Sequence, residues 1–138
     1  MRAFVCAFIL AALALPSAAF AVVPTIEQPI AVLRALDKVT ARVEELEVPI
    51  NRPYKFGTLL ITVRACRVTP PEETPESAAF LEINEFKPGA NGASVFRGWM
   101  FASSPALSPM EDPVYDIWVT GCKGEMPAAQ QPSPTPAK

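Results

Sequence analysis

The most informative feature of this 138-residue chain is an absence, since it contains no histidine. Without an imidazole there is no Ser-His-Asp or Cys-His catalysis, no His-ligated zinc and no imidazole general base. Basic residues are also few: 12 Lys and Arg stand against 14 Asp and Glu, which gives a formal net charge of −2. Because no basic stripe is present, the sequence disfavours binding to DNA or RNA.

Acidic residues are present, but they lack the spacing of a known site. The Glu-containing runs at 44–47, 72–76 and 111–112 do not follow the calcium-loop pattern, and the KPGANG turn lacks the Lys-Ser/Thr of a P-loop. We therefore predict no metal, no cofactor and no enzymatic activity. One alternative stays open, a histidine-free hydrolase that uses paired carboxylates or a serine such as Ser103.

The N-terminus has the organisation of a secretory signal peptide. Arg2 supplies a positive charge, an apolar run follows as far as Pro16, and Ala19-Phe20-Ala21 forms a small-x-small cleavage pattern. The apolar run is shorter than the about 20 residues that a membrane-spanning helix needs. We predict that residues 1–21 form a signal-peptide helix cleaved after Ala21, that the protein is periplasmic, and that no membrane span remains after cleavage.

The chain contains only three cysteines, and the predicted export indicates what the cysteines of the mature protein do. Cys6 leaves with the signal peptide, so only Cys66 and Cys122 remain. Two cysteines in an oxidising compartment most often pair, and no C-x-x-C motif indicates a redox-active site. We predict a structural Cys66–Cys122 disulfide, whose loop of about 57 residues contributes about 4 kcal/mol in the chain-entropy model.

The rest of the chain reads as one small β domain. Residues 22–29 are predicted as a flexible lead-in, 30–123 as the domain, and 124–138 as a disordered Pro-rich tail. The clearest strand is GTLLITVRACRV, followed by AAFLEINEF, ASVFRGWMFAS and VYDIWVTGC. In the first of these, simple alternation places Leu59, Ile61, Val63 and Ala65 on one face, and Leu60, Cys66 and Val68 on the other. The fold class is therefore mainly β, a small antiparallel β-sandwich or barrel-like domain closed by one disulfide.

Residues 31–46 are ambiguous between helix and strand. A helical 4-3-4-3 spacing is followed by Val32, Leu36, Val39, Val43 and Leu46. A strand-like alternation also begins at Leu46 and continues through Val48 and Ile50. The pattern alone slightly favours a helix.

Residues 98–122, GWMFASSPALSPMEDPVYDIWVTGC, are predicted to form two strands paired as a hairpin, joined by a loop with three prolines. One interpretation is that both tryptophans pack against the disulfide. The other is that the loop, with Leu107 and Met110 at its apolar tip and a shape set by proline, contacts an envelope protein or a glycan. An alternative is a glycan binder that uses Trp99 and Trp118 as stacking platforms for peptidoglycan. We predict a non-enzymatic binding or structural module, with recognition residues Arg64, Arg97, Trp99, Leu107, Met110 and Trp118.

Several long blocks of this sequence carry a family resemblance. They are Leu36-Asp37-Lys38, Phe56-Gly57, ITVRAC at 61–66, PPEETPESAAFLEI at 70–83, and the 98–122 segment. With these blocks the chain resembles an uncharacterised family of exported alphaproteobacterial proteins, domain of unknown function 2155. The resemblance implies export and a compact domain but no reaction, substrate or catalytic residue. It also implies that the LDK segment is the first strand of a mostly β domain, so we predict strand for 31–46.

Overall fold

The computed structural model describes residues 23–124, and nearly all of these lie in β-strands or in the turns between them. The elements in chain order are β1 (Ile26–Glu27), β2 (Ile30–Asp37), β3 (Arg42–Pro49), β4 (Tyr54–Phe56), β5 (Leu59–Val68), β6 (Ser77–Glu85), β7 (Ala93–Phe101), a 3-10 turn at Pro105–Leu107, and β8 (Tyr115–Lys123). The predicted mainly-β fold is confirmed. The predicted cleavage site at Ala21 and residues 125–138 of the predicted tail lie outside the described residues.

The strands form two antiparallel sheets. The five-stranded sheet has the order β1-β5-β6-β7, with β4 also paired to β5, and the three-stranded sheet has the order β3-β2-β8. Side chains from the inner faces of both sheets form one core, as expected for a sandwich. Its largest fully buried members are Ile30, Leu33, Leu59, Ile61, Leu81 and Ile83.

The ambiguous segment forms the β2–β3 hairpin, so the strand prediction is confirmed. The members of the apparent helical stripe do not share an environment: Val39 is 78% exposed and Val43 is 53% exposed, whereas Leu46 is buried. Asp37 fixes the turn, because its Oδ1 accepts hydrogen bonds from the amides of Val39 (2.8 Å) and Thr40 (3.1 Å). Pairing with β8 and packing on the first sheet outweigh the local helical period.

The predicted hairpin between residues 98 and 122 is wrong. β7 pairs with β6 in the five-stranded sheet, whereas β8 pairs with β2 in the three-stranded sheet. The short KPGANG turn makes the β6–β7 hairpin, which is the closer pairing along the chain. The longer loop at 102–114 crosses between the sheets, and the inward residues Ile117 and Val119 then lie opposite Ala35 and Leu33.

A β-bulge at Arg64 corrects the predicted faces of β5. Val63 pairs with Leu81 and Ala65 pairs with Phe80, so Arg64 is the extra residue and the alternation shifts by one. Cys66 consequently points into the core beside Leu59, Ile61 and Val63, rather than to the opposite face.

The Cys66–Cys122 disulfide is present and joins the two sheets. Its Cα atoms are 5.9 Å apart, one on β5 and the other on β8. Near it, the predicted flexible lead-in includes the short strand β1. The amides of Thr25 and Gln28 donate hydrogen bonds to the carbonyls of Val68 (3.1 Å) and Cys66 (2.8 Å), so this part of the lead-in is paired to β5.

Candidate functional site

Three of the predicted recognition residues meet on the outer face of the five-stranded sheet. Arg97 lies opposite Glu82 and Trp99 lies opposite Phe80 in the β6–β7 register, and Arg64 comes from the bulge of β5. Because cross-strand partners share a face, these side chains project away from the core.

Two arginines share one carboxylate on this face. Arg64 Nε lies 2.8 Å from Glu82 Oε2, and Arg97 Nε lies 3.4 Å from Glu82 Oε1. Arg64 Nη1 also donates a hydrogen bond to Asn51 Oδ1 at 3.1 Å. Since one carboxylate neutralises one of two guanidinium charges, the cluster carries surplus positive charge, and most of Arg97 stays exposed.

Trp99 lies on the edge strand β7 of this face and is half-buried. Its ring contacts Phe80 edge-on, with 5.6 Å between centroids, and the guanidinium carbon of Arg67 lies 5.4 Å from the indole centroid. Arg67 Nη2 donates to Glu27 Oε1 at 3.1 Å, whereas its Nε is buried and has no hydrogen-bond partner within residues 23–124. The face therefore contains an aromatic platform with cations on both sides.

A shallow cleft of about 250 Å³, here called the Trp99 cleft, adjoins this platform. It is lined by Val23, Pro24, Arg67, Ala78, Trp99 and Phe101. Its walls are mainly apolar, and Arg67 is its one charged lining group. The shape suits a small apolar substituent attached to an anionic group.

Arg67 and Phe80 were missed as site residues because their partnership with Trp99 arises only across strands. The sequence did hold a signal for Phe80, since Ala79, Leu81 and Ile83 alternate with it and point inward. No comparable signal existed for Arg67. Simple alternation places Arg67 on the inner face of β5, and the bulge at Arg64 moves it to the outer face.

The other three predicted recognition residues lie away from this face, and two of them, Met110 and Trp118, line one cavity of about 340 Å³. Met110 is 5% exposed and belongs to the core cluster, so its predicted position at the loop tip is wrong. Leu107 is 69% exposed. Trp118 is half-buried on the outer face of the three-stranded sheet, opposite Arg34. The two tryptophans thus lie on different sheets and on outer faces, which contradicts the interpretation that both pack against the disulfide.

A cavity of about 430 Å³ is lined by Ser103, the serine named in the hydrolase alternative, and by Glu76. Glu76 Oε1 accepts hydrogen bonds from the amides of Ser77 (2.9 Å) and Ser103 (3.2 Å), and Oε2 accepts one from the Ser103 hydroxyl. Burial alone would raise the pKa of Glu76, but the bonds from Ser103 and Ser77 outweigh it and hold the pKa below its ordinary value. Both oxygens are therefore engaged in fastening the loop after β7 to the start of β6.

Comparison with known proteins confirms the family resemblance noted in the sequence. Residues 31–122 match the family model described as "Uncharacterized protein conserved in bacteria (DUF2155)". The chain belongs to the DUF2155 family. A relative described as an uncharacterized protein, from Rickettsia prowazekii (strain Madrid E), is 31% identical over 88 residues. The aligned part covers 64% of this chain and 57% of that relative, and no solved structure matches.

Two features are absent from residues 23–124 of this DUF2155 domain. Within that range, no cluster of three or more Cys, Asp or Glu side chains is placed to hold a metal ion. No helix in the same range is long and apolar enough to cross a membrane.

Proposed function

We propose that this DUF2155 protein is a non-enzymatic binding module of the bacterial cell envelope. Its ligand is a carboxylate-bearing glycan, with peptidoglycan as the candidate polymer, and the outer face around Trp99 binds it. The observation that carries this proposal is the position of Trp99 between Arg67 on one side and the Arg64–Glu82–Arg97 cluster on the other. The signal-peptide pattern and the disulfide support the envelope location, since disulfides persist in oxidising compartments.

The chemistry of the face fits such a ligand in two ways. A half-exposed indole provides a flat apolar surface for the C–H face of a sugar ring, and the neighbouring Arg97 side chain is mostly exposed to solvent. Guanidinium groups bind carboxylates with two parallel hydrogen bonds, and Arg67 Nε is a buried donor without a partner in the described chain. The small apolar Trp99 cleft accommodates a methyl-sized substituent next to that donor.

The absence of histidine and the state of Glu76 support a binding role over a catalytic one. A general base works best with a pKa near the operating pH. The pKa of Glu76 is lowered, which moves it further from neutral pH. A survey of hydrolase substrates with the mature protein tests this point. Turnover that disappears in Ser103→Ala would overturn the non-enzymatic proposal.

Tryptophan fluorescence provides the direct binding test, because the two tryptophans can be separated by substitution. Trp118→Phe leaves Trp99 as the remaining indole, and soluble peptidoglycan fragments should change its emission saturably. The matched variant Trp99→Phe retains Trp118 on the other sheet and should show no change.

Charge variants then test the role of the arginines. In the Trp118→Phe background, Arg67→Ala or Arg97→Ala should weaken binding about tenfold or more, since a charge-assisted hydrogen bond contributes about 1.5–3 kcal/mol. Arg34→Ala, on the outer face of the three-stranded sheet, is the control and should leave affinity unchanged. A flat titration of Trp118→Phe at millimolar fragment concentrations would contradict the glycan as ligand.

A further inference from the structure

β7 is a long edge strand with one paired side. It pairs with β6 from Ala93 to Phe101. Along its opposite edge, Phe101 accepts a backbone hydrogen bond from Ser104 (3.2 Å), and no other residue of 23–124 forms a backbone hydrogen bond with β7 there. Such a row of free N–H and C=O groups is a template for pairing with another strand.

The other sheet edges carry features that discourage pairing, and β7 largely lacks them. β1 has two residues and β4 has three, and β3 displays Glu44, Glu45 and Glu47 before ending at Pro49. β8 carries two charged residues, Asp116 and Lys123, and the disulfide fastens its end to β5. β7 has nine residues, no proline, and Arg97 as its one charged residue. A bulge at Val95 disturbs its beginning and leaves 96–101 regular.

The sequence of β7 is complementary to itself. Phe96-Arg97-Gly98-Trp99-Met100 places a cation and an indole symmetrically on either side of a glycine. In an antiparallel pair related by a twofold axis at Gly98, Arg97 of each copy lies opposite Trp99 of the other on the outer face. Phe96 lies opposite Met100 on the inner face. The first pair forms a cation–π contact and the second a sulfur–aromatic contact.

We propose that two copies of this protein pair through β7 in this register, joining their five-stranded sheets into one continuous sheet. Neighbouring registers that keep the outer faces aligned are less favourable. An axis at Arg97 places two like charges directly opposite each other, which destabilises a strand pair, and an axis at Trp99 removes both Arg–Trp contacts. The dimer carries both Trp99 clefts on one outer face, an arrangement suited to a polymeric ligand. The pairing itself does not depend on the proposed function.

Cysteine cross-linking tests the register directly. Opposite residues of an antiparallel pair have Cα atoms about 4.5–5.5 Å apart, which is within disulfide range. Gly98→Cys should therefore give a covalent dimer on a non-reducing gel after mild oxidation. A Cβ at this position meets the Phe96 ring at no closer than 3.6 Å, so the substitution fits the fold. Leu107→Cys, exposed but distant from the axis, measures cross-linking by random collision.

A mixture of two variants provides a second arm. Arg97→Cys and Trp99→Cys should each cross-link poorly alone and efficiently when mixed, because the mixed dimer places the two new thiols opposite each other and keeps one Arg–Trp contact. Efficient self-cross-linking of Arg97→Cys would mean a different register and would overturn the proposal. So would a Gly98→Cys signal no greater than that of Leu107→Cys.

Sedimentation analysis of the unmodified mature protein provides the third arm. It should show a concentration-dependent monomer–dimer equilibrium. Arg97→Glu should weaken it about 30-fold, since two cation–π contacts of about 1 kcal/mol each are lost. Arg64→Glu makes the same charge change beside the same Glu82 but on β5, and should have little effect. A protein that is monomeric at all concentrations, or equal weakening by both variants, would overturn the proposal.

Discussion

Leu107 and Met110 lie three residues apart in one loop, yet the first is 69% exposed and the second 5% exposed. Met110 packs into the core between the two sheets, and Leu107 ends the 3-10 turn at the surface. The loop at 102–114 therefore contributes a core residue to the sandwich in addition to connecting its sheets.

This difference predicts contrasting effects of the same substitution. Met110→Ala should lower the free energy of unfolding by about 2–4 kcal/mol, because it removes a buried side chain and leaves a cavity. Leu107→Ala should change it by no more than about 0.5 kcal/mol. Urea denaturation followed by circular dichroism measures both. Equal effects would contradict the placement of Met110 in the core.

The disulfide should contribute a large part of the stability of the domain. Cys66 and Cys122 are 56 residues apart in sequence, and closing a loop of that length is worth about 4 kcal/mol in the chain-entropy model. We expect the Cys66→Ala/Cys122→Ala double variant to unfold at a much lower urea concentration than the oxidised protein. Reductant should destabilise the unmodified protein and leave the double variant unchanged. The same midpoint with and without reductant would show that the bond contributes no stability.

Glu76 predicts a pH-dependent contribution to stability. Its pKa is lowered in the folded state because the hydrogen bonds from Ser103 and Ser77 outweigh the effect of burial. A lowered folded-state pKa contributes stability that is present above the unfolded value and is lost as the pH falls through the folded value. Glu76→Gln should cost about 1–2 kcal/mol at pH 7, since it weakens bonds to a charged acceptor. The difference between variant and unmodified protein should shrink below about pH 4.

Thermal unfolding from pH 7 down to pH 3 measures that difference. Ser103→Ala is the matched control, because it removes the hydroxyl donor and keeps the carboxylate. It should give a smaller loss with the same pH trend. A gap between Glu76→Gln and the unmodified protein that stays constant over this range would count against the charged hydrogen-bond network.

Gly57 is predicted to be the least replaceable of the loop glycines. Its φ is +56°, and a Cβ there would lie 2.6 Å from Cζ of Tyr115, whose ring packs edge-on against Phe56. Gly57→Ala combines left-handed backbone strain with a steric overlap and should cost about 2–4 kcal/mol. Gly89→Ala is the control: its φ is +77° with open space around the new Cβ, so strain alone should cost about 1 kcal/mol. Similar melting temperatures for the two variants would argue against the contact with Tyr115.

Strand content could be predicted from the sequence, whereas strand partners could not. The β-branched runs and their turns located β5, β6, β7 and β8. The hairpin prediction for 98–122 was wrong because β propensity does not say which sheet a strand joins. That choice depends on the inward faces of β2 and β6, which are distant in sequence.

The candidate site also contains residues that the sequence predicted and residues that only the structure revealed. Arg64, Arg97 and Trp99 were predicted and do meet, but the residues that organise them, Glu82 and Arg67, were not. The bulge at Arg64 reversed the side of the sheet on which Cys66 and Arg67 lie. A one-residue insertion in a ladder leaves no trace in composition, and its consequences appear only in the register.

By itself, the sequence determined the β class, the family, the pairing of the two cysteines left after the predicted cleavage, and the absence of imidazole chemistry. These properties depend only on the composition of the chain and on the local order of its residues, so they can be predicted without the tertiary structure. Tertiary structure alone decided that β7 and β8 lie in different sheets, that Met110 is core while Leu107 is surface, and that Trp99 lies between two sets of arginines. The physical reason is that each of these three features depends on which strands, distant in sequence, pack their apolar faces together. That packing is cooperative and involves the whole core.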